Sequence, residues 1–276
     1  MRRLTRVELL KIRTTRLTYG LLATATGLTA LLTVLRAATA GHGKEPPLYA
    51  SAGLTRALTV IGFAFLISIV FGATVSSGEF RHSTATVTYL AFPNRTRVLV
   101  AKLIAAASTG LMFGALGFAA STGVAMIFVA AHGYAVALSA GTIVGYGAGA
   151  TLAAGLLAAV GVALGTLIRA QLGVVIGVFV WTVFAESILG GVVNPLGPYL
   201  PFTAATTLAG AKLGGGGFGY TGSSTATPLP FIAAALRSPA SRRSSRWWPH
   251  EPRSAQTSPD GPRVVQPQTA QPQSPP

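Results

Sequence analysis

The chain has 276 residues, half of them hydrophobic and only a tenth charged, with a formal net charge of +15 and no cysteine. A soluble domain usually carries about a quarter charged residues, so this composition excludes an ordinary water-soluble globular protein. The missing cysteines exclude disulfides and thiolate metal sites. The basic residues flank apolar runs and form no zinc-finger or helix-turn-helix pattern, which argues against a nucleic-acid partner.

The first segment, residues 1–16, predicts a cytoplasmic interfacial helix. At 100° per residue Leu4, Val7 and Leu10 share one arc, with arginines roughly opposite. A merely basic tail that sets the membrane topology is the alternative.

Five apolar runs follow, and each is long enough for the roughly 20 residues that cross a bilayer as a helix. The predicted fold class is therefore all-α, a polytopic bundle of transmembrane helices with five clear spans. The spans lie near residues 17–35, 57–76, 103–131, 141–168 and 171–193. A cleaved signal peptide is the alternative for the first run, but its long basic flank and the four later runs favour a retained span.

The placement of Lys and Arg predicts the orientation. The N-terminal segment has six, the 78–102 loop has four and Arg169 adds one, against four on the opposite side. Because basic residues favour the cytoplasmic side, eleven against four predicts a cytoplasmic N-terminus.

The loop at residues 78–102 is unusually polar for this chain. It predicts a short cytoplasmic helix from about Glu79 to Leu90, ended by Pro93, with Glu79 in the first turn. Arg95, Arg97 and Lys102 would then place the start of the third span at the headgroups. The alternative interpretation is a loop whose basic residues do no more than keep it on the cytoplasmic side.

Small residues recur at four-residue spacing in the spans and predict close helix packing. The pairs and triplets are Gly110 and Gly114; Gly141, Gly145 and Gly149; Gly161 and Gly165; and Gly173 and Gly177.

Glu186 is the one formal charge within the five runs. An acid in hydrocarbon is costly and is by default a functional candidate. Its place near the outer end of the fifth run leaves a position at the headgroups, or a structural hydrogen-bonding role, equally open.

No motif predicts enzymatic chemistry. The chain has no Gly-x-x-x-x-Gly-Lys-Ser/Thr loop, its four histidines are scattered, and its only aspartate is Asp260. We therefore predict no catalytic residue, no cofactor and no metal ligand.

Residues 17–236 form the predicted membrane domain, and residues 237–276 form a predicted disordered tail. Nine prolines and six arginines among these last 40 residues cannot support a packed core.

Four stretches carry a family resemblance. They are ELLKIRTTRLTYGLL, GEFRHSTATVTYLAFPNRTRVLVAKLIAAA, LGTLIRAQLGVVIGVFVWTVFAESIL and LGPYLPFTAATTLAG. Over roughly residues 1–210 the chain resembles the membrane subunit of a bacterial type-2 ABC exporter, of an actinobacterial kind.

The resemblance implies a permease subunit that is not itself an enzyme and that pairs with a separate ATP-binding subunit. It also implies a homodimer or a pair with a related permease, and a multi-pass location in the bacterial cell membrane. By analogy, Glu79, Arg81 and Thr84 belong to the element that couples to the ATPase, with Arg95, Arg97 and Lys102 on its exit.

The C-terminal end departs from the family, which usually has six spans. Here the sixth is missing or degraded near residue 236, and a reading-frame shift around residues 230–237 is our hypothesis for the atypical tail. Two alternative functions remain. One is an ion-coupled secondary carrier, and the other is a non-transporting membrane protein, such as an immunity, assembly or degenerate protein.

Overall fold

A computed structural model describes residues 2–43, 45–81, 94–168, 170–186, 188–189 and 200–210, without the side chains of Arg2, Phe80 and Arg81. These residues form helices and no strand, as predicted for an all-α protein. The helices are α1 (Arg2–Thr14), α2 (Arg16–Thr39), α3 (Ser51–Leu58), α4 (Gly62–Arg81), α5 (Arg95–Ala131), α6 (Ala140–Leu167), α7 (Gln171–Val180) and α8 (Pro201–Leu208). A π-helical turn, Trp181–Ala185, continues α7.

Within the described part of the chain, four helical stretches are long and apolar enough to cross a membrane. They are Arg16–Thr39, Ser51–Glu79, Arg95–Ala131 and Ala140–Leu167. The fifth predicted span is not confirmed, because the apolar helix Gln171–Ala185 is shorter and residues 190–199 lie outside the described residues.

The helices extend beyond the apolar runs that predicted them. The second stretch begins at Ser51 rather than residue 57, and the third begins at Arg95 rather than residue 103. Hydrophobicity marks the part of a helix that lies in lipid, whereas backbone hydrogen bonds continue past that boundary. Arg56, Arg95 and Arg97 are therefore helical although they lie outside the predicted spans.

Helices α4, α5 and α6 form the centre of the bundle, and glycines set their spacing. A Cβ added to Gly110 would lie 2.7 Å from the carbonyl oxygen of Ala154, and one added to Gly114 would lie 2.6 Å from that of Ala150. These contacts run in opposite directions along α5 and α6, so the two helices are antiparallel. The predicted close packing is confirmed here.

The same close approach joins α6 to α4. A Cβ on Gly161 would meet the Ile69 carbonyl oxygen, and one on Gly165 would lie 2.5 Å from that of Ala73. Because both positions advance together, α4 and α6 are parallel. Gly145 and Gly177, by contrast, have open space at the Cβ position, so the spacing alone did not identify the packed glycines.

A break between α3 and α4 is stabilised by a neighbouring helix. Residues 59–61 leave the helical conformation, and the hydroxyl of the buried Ser121 on α5 donates to the carbonyl oxygens of Ala57 at 3.2 Å and Leu58 at 3.1 Å. Carbonyls freed by a helix break need such a donor where water is scarce.

The distribution of side chains is that of a membrane protein. On α6 the buried positions are mostly small residues, including Ala150, Ala154 and Ala158, whereas Leu152, Leu156 and Leu167 are exposed. Large apolar side chains that face outward over a long helix require an apolar surrounding rather than water. The protein is accordingly a helical membrane protein.

The predicted permease domain, residues 17–236, is described only in part, and residues 211–236 lie outside the described residues. The predicted disordered tail, residues 237–276, also lies outside them.

Candidate functional site

The first helix docks on the bundle by one stripe. Leu4, Glu8 and Ile12 are buried and recur every four residues on α1, and Leu4 packs with Val98 and Ala101 of α5. The segment is helical, as predicted, but the three residues of the predicted apolar arc do not share one environment. Leu4 is buried, while Val7 and Leu10 are exposed on the outer side, where an interfacial helix meets lipid.

Docking of α1 assembles a cluster of four charges, which we call the four-charge cluster: Glu8, Lys11, Glu79 and Lys102. Glu79 Oε1 lies 2.7 Å from both Lys11 Nζ and Lys102 Nζ. Glu8 is more distant, with one carboxylate oxygen 3.6 Å from Lys11 Nζ and the other 3.6 Å from Lys102 Nζ. The cluster joins α1, the end of α4 and the start of α5.

Three members of the cluster are largely removed from solvent. The exposed fraction of the side chain is 3% for Glu8, 5% for Lys102 and 14% for Glu79, against 46% for Lys11. Buried charges persist when they are paired, because an isolated charge loses its hydration without compensation. Each member therefore depends on the others.

The half-exposed Lys11 shows the electrostatic balance of the cluster. Burial by itself would lower the pKa of Lys11, but the hydrogen bond and charge of Glu79, with a contribution from Glu8, raise this pKa above its ordinary value of 10.5. A raised folded pKa stabilises the protein below the unfolded pKa and ceases to do so as pH rises through the folded value. The attachment of α1 by Lys11 is thus fully present at neutral pH.

The predicted coupling residues separate into three groups. Glu79 and Lys102 meet in the four-charge cluster, although 23 positions separate them. Arg95 and Arg97 are exposed in the first turn of α5, where the Arg97 backbone N–H donates to Asn94 Oδ1 at 3.2 Å. Arg81 ends α4 with its side chain outside the described part, and Thr84 lies outside the described residues.

One local prediction about this loop is wrong. Glu79 lies in the last turn of α4 rather than in the first turn of a separate helix. No proline interrupts the helix between the apolar run and Arg81, and the two lysines pair with Glu79 on the side of the bundle. The predicted helix of residues 79–90 otherwise lies outside the described residues.

Sequence reasoning missed Glu8 and the structural role of Lys11. Lys11 is one of the six basic residues of the N-terminal segment, from which the sequence predicts only the membrane orientation. A weak signal exists, since Glu8 and Lys11 are three positions apart and form an ion pair on one helix face. The sequence does not indicate, however, that this pair meets a second acid and a second lysine.

Glu186 is fully buried near the opposite end of the bundle from the four-charge cluster. Its Oε1 accepts from the Phe202 backbone N–H at 2.9 Å, and its Oε2 accepts from the Thr203 backbone N–H at 3.0 Å and hydroxyl at 3.2 Å. The carboxylate thus satisfies the first amides of α8, which have no partner within the helix. The geometry is that of a structural hydrogen-bonding role.

The π-helical turn precedes this acid directly. The Glu186 backbone N–H donates to the Trp181 carbonyl five positions earlier, which adds one residue to the turn. Such a turn changes the direction of the side chains that follow it. The side chain of Phe202 completes the contact of α8 by packing edge-on against Phe65 of α4, with ring centroids 6.2 Å apart.

Among the described residues, no group of three or more His, Cys, Asp or Glu side chains could hold a metal ion. A pocket of about 360 Å³ adjoins the four-charge cluster. Glu8, Lys11 and Glu79 line it together with apolar residues such as Ile12 and Phe71.

Comparison with known proteins does not identify a family for this chain. A scan against protein-family models and a search of the curated proteins find no match to this chain. The resemblance to type-2 ABC exporter subunits therefore stays a prediction.

Proposed function

We propose that this protein is the membrane-spanning permease subunit of an ABC exporter and that a separate ATP-binding subunit acts on its 78–102 loop. The four-charge cluster is the observation that carries the proposal. It connects the two ends of this loop, at Glu79 and Lys102, to each other and to α1.

This arrangement suits the transfer of movement. A force applied to residues between Glu79 and Lys102 reaches α4 and α5 together, since the two ends are joined by a 2.7 Å ion pair. Both helices belong to the tightly packed centre of the bundle, where glycine contacts leave little room for deformation. Displacement of the loop would thus move whole helices.

Glu186 gives no support to an ion-coupled carrier. Both of its carboxylate oxygens accept hydrogen bonds from the start of α8. A carboxylate that carries a proton or cation through the membrane has to exchange partners, whereas Glu186 is committed to backbone amides.

The test is affinity purification of the tagged full-length chain from native membranes. We expect an ATP-binding subunit to co-purify, and the yield to fall with Arg81→Ala and Thr84→Ala. Glu45→Ala is a matched control, because Glu45 pairs with Arg56 at a distant position outside the cluster. ATP-dependent export in vesicles, abolished by the same loop variants, would complete the assignment.

A folded chain that purifies without any ATP-binding protein would contradict the proposal. The thermal unfolding midpoint of each variant separates loss of the partner from loss of the fold. Transport driven by an ion gradient without ATP would instead establish the carrier.

A further inference from the structure

The outer side of α1 carries a row of arginines. At roughly 100° per residue, the side of the helix opposite its buried stripe holds Arg3, Arg6, Leu10 and Arg13. Successive members are three or four positions apart, so they are neighbours on the helix surface. All four are exposed, and we call them the arginine row.

The arginine row faces away from the bundle. On the buried side of α1, Leu4 packs against Val98 and Ala101, which lie about one to two turns after the start of α5 at Arg95. Helix α1 therefore lies alongside α5 rather than beyond its end, and its opposite side meets the surrounding lipid. Arg97, one position before Val98, is also exposed. Basic residues at the starts of apolar helices mark the level of the headgroups.

Among the described residues, no acid offsets the arginine row. The four-charge cluster uses both acids of this end of the bundle, since Glu8 and Glu79 are paired there with lysines. The other two described acids are Glu45, which pairs with Arg56, and Glu186, which accepts from α8. Like charges three or four positions apart destabilise a helix. An anion bound between the arginines would therefore stabilise α1.

The apolar residues on the same side of α1 restrict the class of anion. Leu10 is 61% exposed within the row, and Val7 beside it is 54% exposed. A nucleic acid or a small phosphate would leave both side chains in water. A phospholipid combines an anionic phosphate with acyl chains that cover them.

We propose that the arginine row binds the phosphate of an anionic phospholipid in the adjoining leaflet. Arg3 and Arg6 share the phosphate oxygens, since a guanidinium group matches them with parallel N–H donors. Arg13 attracts a second headgroup, and Leu10 contacts the acyl chains between them. A zwitterionic headgroup binds less well, because its ammonium group brings a further positive charge to the row. This inference does not rest on the proposed transport function.

The first experiment measures lipid binding to the purified full-length protein in detergent by native mass spectrometry. Phosphatidylglycerol and phosphatidylcholine with identical acyl chains are titrated separately. At about 0.1 M ionic strength we expect the Kd for phosphatidylglycerol to be about tenfold lower. The difference should shrink at about 0.5 M, because salt screens exposed charges.

Arginine variants locate the site. Arg6→Gln should raise the Kd for phosphatidylglycerol about fivefold and change that for phosphatidylcholine by less than about twofold. The double variant Arg3→Gln/Arg6→Gln should abolish the preference. Arg36→Gln is the matched control, because Arg36 is exposed in the last turn of α2, at the opposite end of the bundle, and it should change neither Kd. Thermal unfolding midpoints verify that each variant is folded.

Equal Kd values for the two lipids at low salt would overturn the proposal. A preference for phosphatidylglycerol that persists in the double variant would reject the arginine row as its source. Displacement of the lipid by millimolar glycerol phosphate would assign the row to soluble anions instead. If the double variant keeps its lipid preference but loses a co-purified protein, the row is a docking surface for that protein and not for lipid.

Discussion

At the residue scale, the four-charge cluster brings two acids and two lysines from three helices into a largely buried site. A single charge in such a site would lose its hydration without a partner to compensate for it. Lys11 and Lys102 each lie near both Glu79 and Glu8, but Lys102 is almost fully buried whereas Lys11 is half-exposed. Removal of one partner from a buried ion pair leaves the other charge without compensation. The stability lost when one partner is removed is therefore larger than the net stability that the intact pair contributes.

We expect Lys102→Met to lower the free energy of unfolding by about 3 kcal/mol or more, because two buried carboxylates lose the buried one of the two lysines that they share. Chemical unfolding in detergent, followed by circular dichroism, measures the change. Lys11→Met is the control, and its half-exposed side chain should make its effect clearly smaller. Equal effects of the two variants would contradict the expectation that the buried lysine contributes more to stability than the half-exposed one.

Glu186 illustrates a different use of a buried acid. We expect Glu186→Gln to weaken the start of α8, because an amide NH₂ group replaces one of the two oxygens that accept from backbone N–H groups. The loss of such a cap costs about 1–2 kcal/mol, which corresponds to about tenfold faster hydrogen exchange of the α8 amides. Hydrogen exchange with mass spectrometry measures it.

A specific combination of results would contradict this structural role of Glu186. Unchanged exchange in α8, with slower export or altered ion dependence, would show that Glu186 acts on the transported species. Amides of α5 serve as the internal reference, since they lie in another helix.

At the element scale, contacts between backbones decide how the helices are arranged. Gly161 and Gly165 of α6 lie against the backbone of α4, and Gly110 and Gly114 of α5 lie against α6. In lipid, helices associate by close packing of this kind rather than by exclusion of water. A single methyl group at such a contact is enough to separate two helices.

We expect opposite effects from two Gly→Ala substitutions in the same helix. Gly161→Ala should destabilise the protein by about 1–3 kcal/mol, because the added Cβ meets the Ile69 carbonyl oxygen. Gly145→Ala should be neutral or stabilising by up to about 1 kcal/mol, since its Cβ has open space and alanine favours the helix. Thermal unfolding midpoints of both variants test the difference in sign, and equal midpoints would refute the packing.

At the scale of the whole molecule, α5 extends from the end of the bundle that holds the four-charge cluster toward the opposite end. It has 37 residues and is about 55 Å long, which exceeds the roughly 30 Å hydrocarbon thickness. The helix is therefore longer than the apolar core of a bilayer is thick. The four-charge cluster belongs to one end, and the contact of α6 with α8 at Gly149 belongs to the other half of the bundle.

The absence of cysteine makes this arrangement measurable. We expect Arg97→Cys and Ala131→Cys, both at exposed positions of α5, to react with a membrane-impermeant maleimide from opposite sides of the membrane. The charge rule predicts that Arg97 is cytoplasmic. The unmodified protein is the control, and labelling of both positions from the same side would exclude α5 as a span.

The sequence by itself determined the class of protein and the existence of most helices. Long apolar runs with few charges specify helices in lipid, because unpaired backbone groups are too costly there. The runs near residues 17–35, 103–131 and 141–168 accordingly correspond to α2, α5 and α6. The extra turns at the ends, and the continuation of α4 through Glu79, were not predictable from hydrophobicity, because polar residues also complete helices.

Only the tertiary structure decided which residues meet. The pairing of Glu79 with Lys102 and Lys11, the role of Glu8, and the capping of α8 by Glu186 join positions that no local pattern connects. Likewise, the same four-residue glycine spacing produced a tight contact at Gly161 and open space at Gly177. The physical reason is that a helix sequence fixes which side chains share a face, whereas the neighbouring helices determine what that face touches.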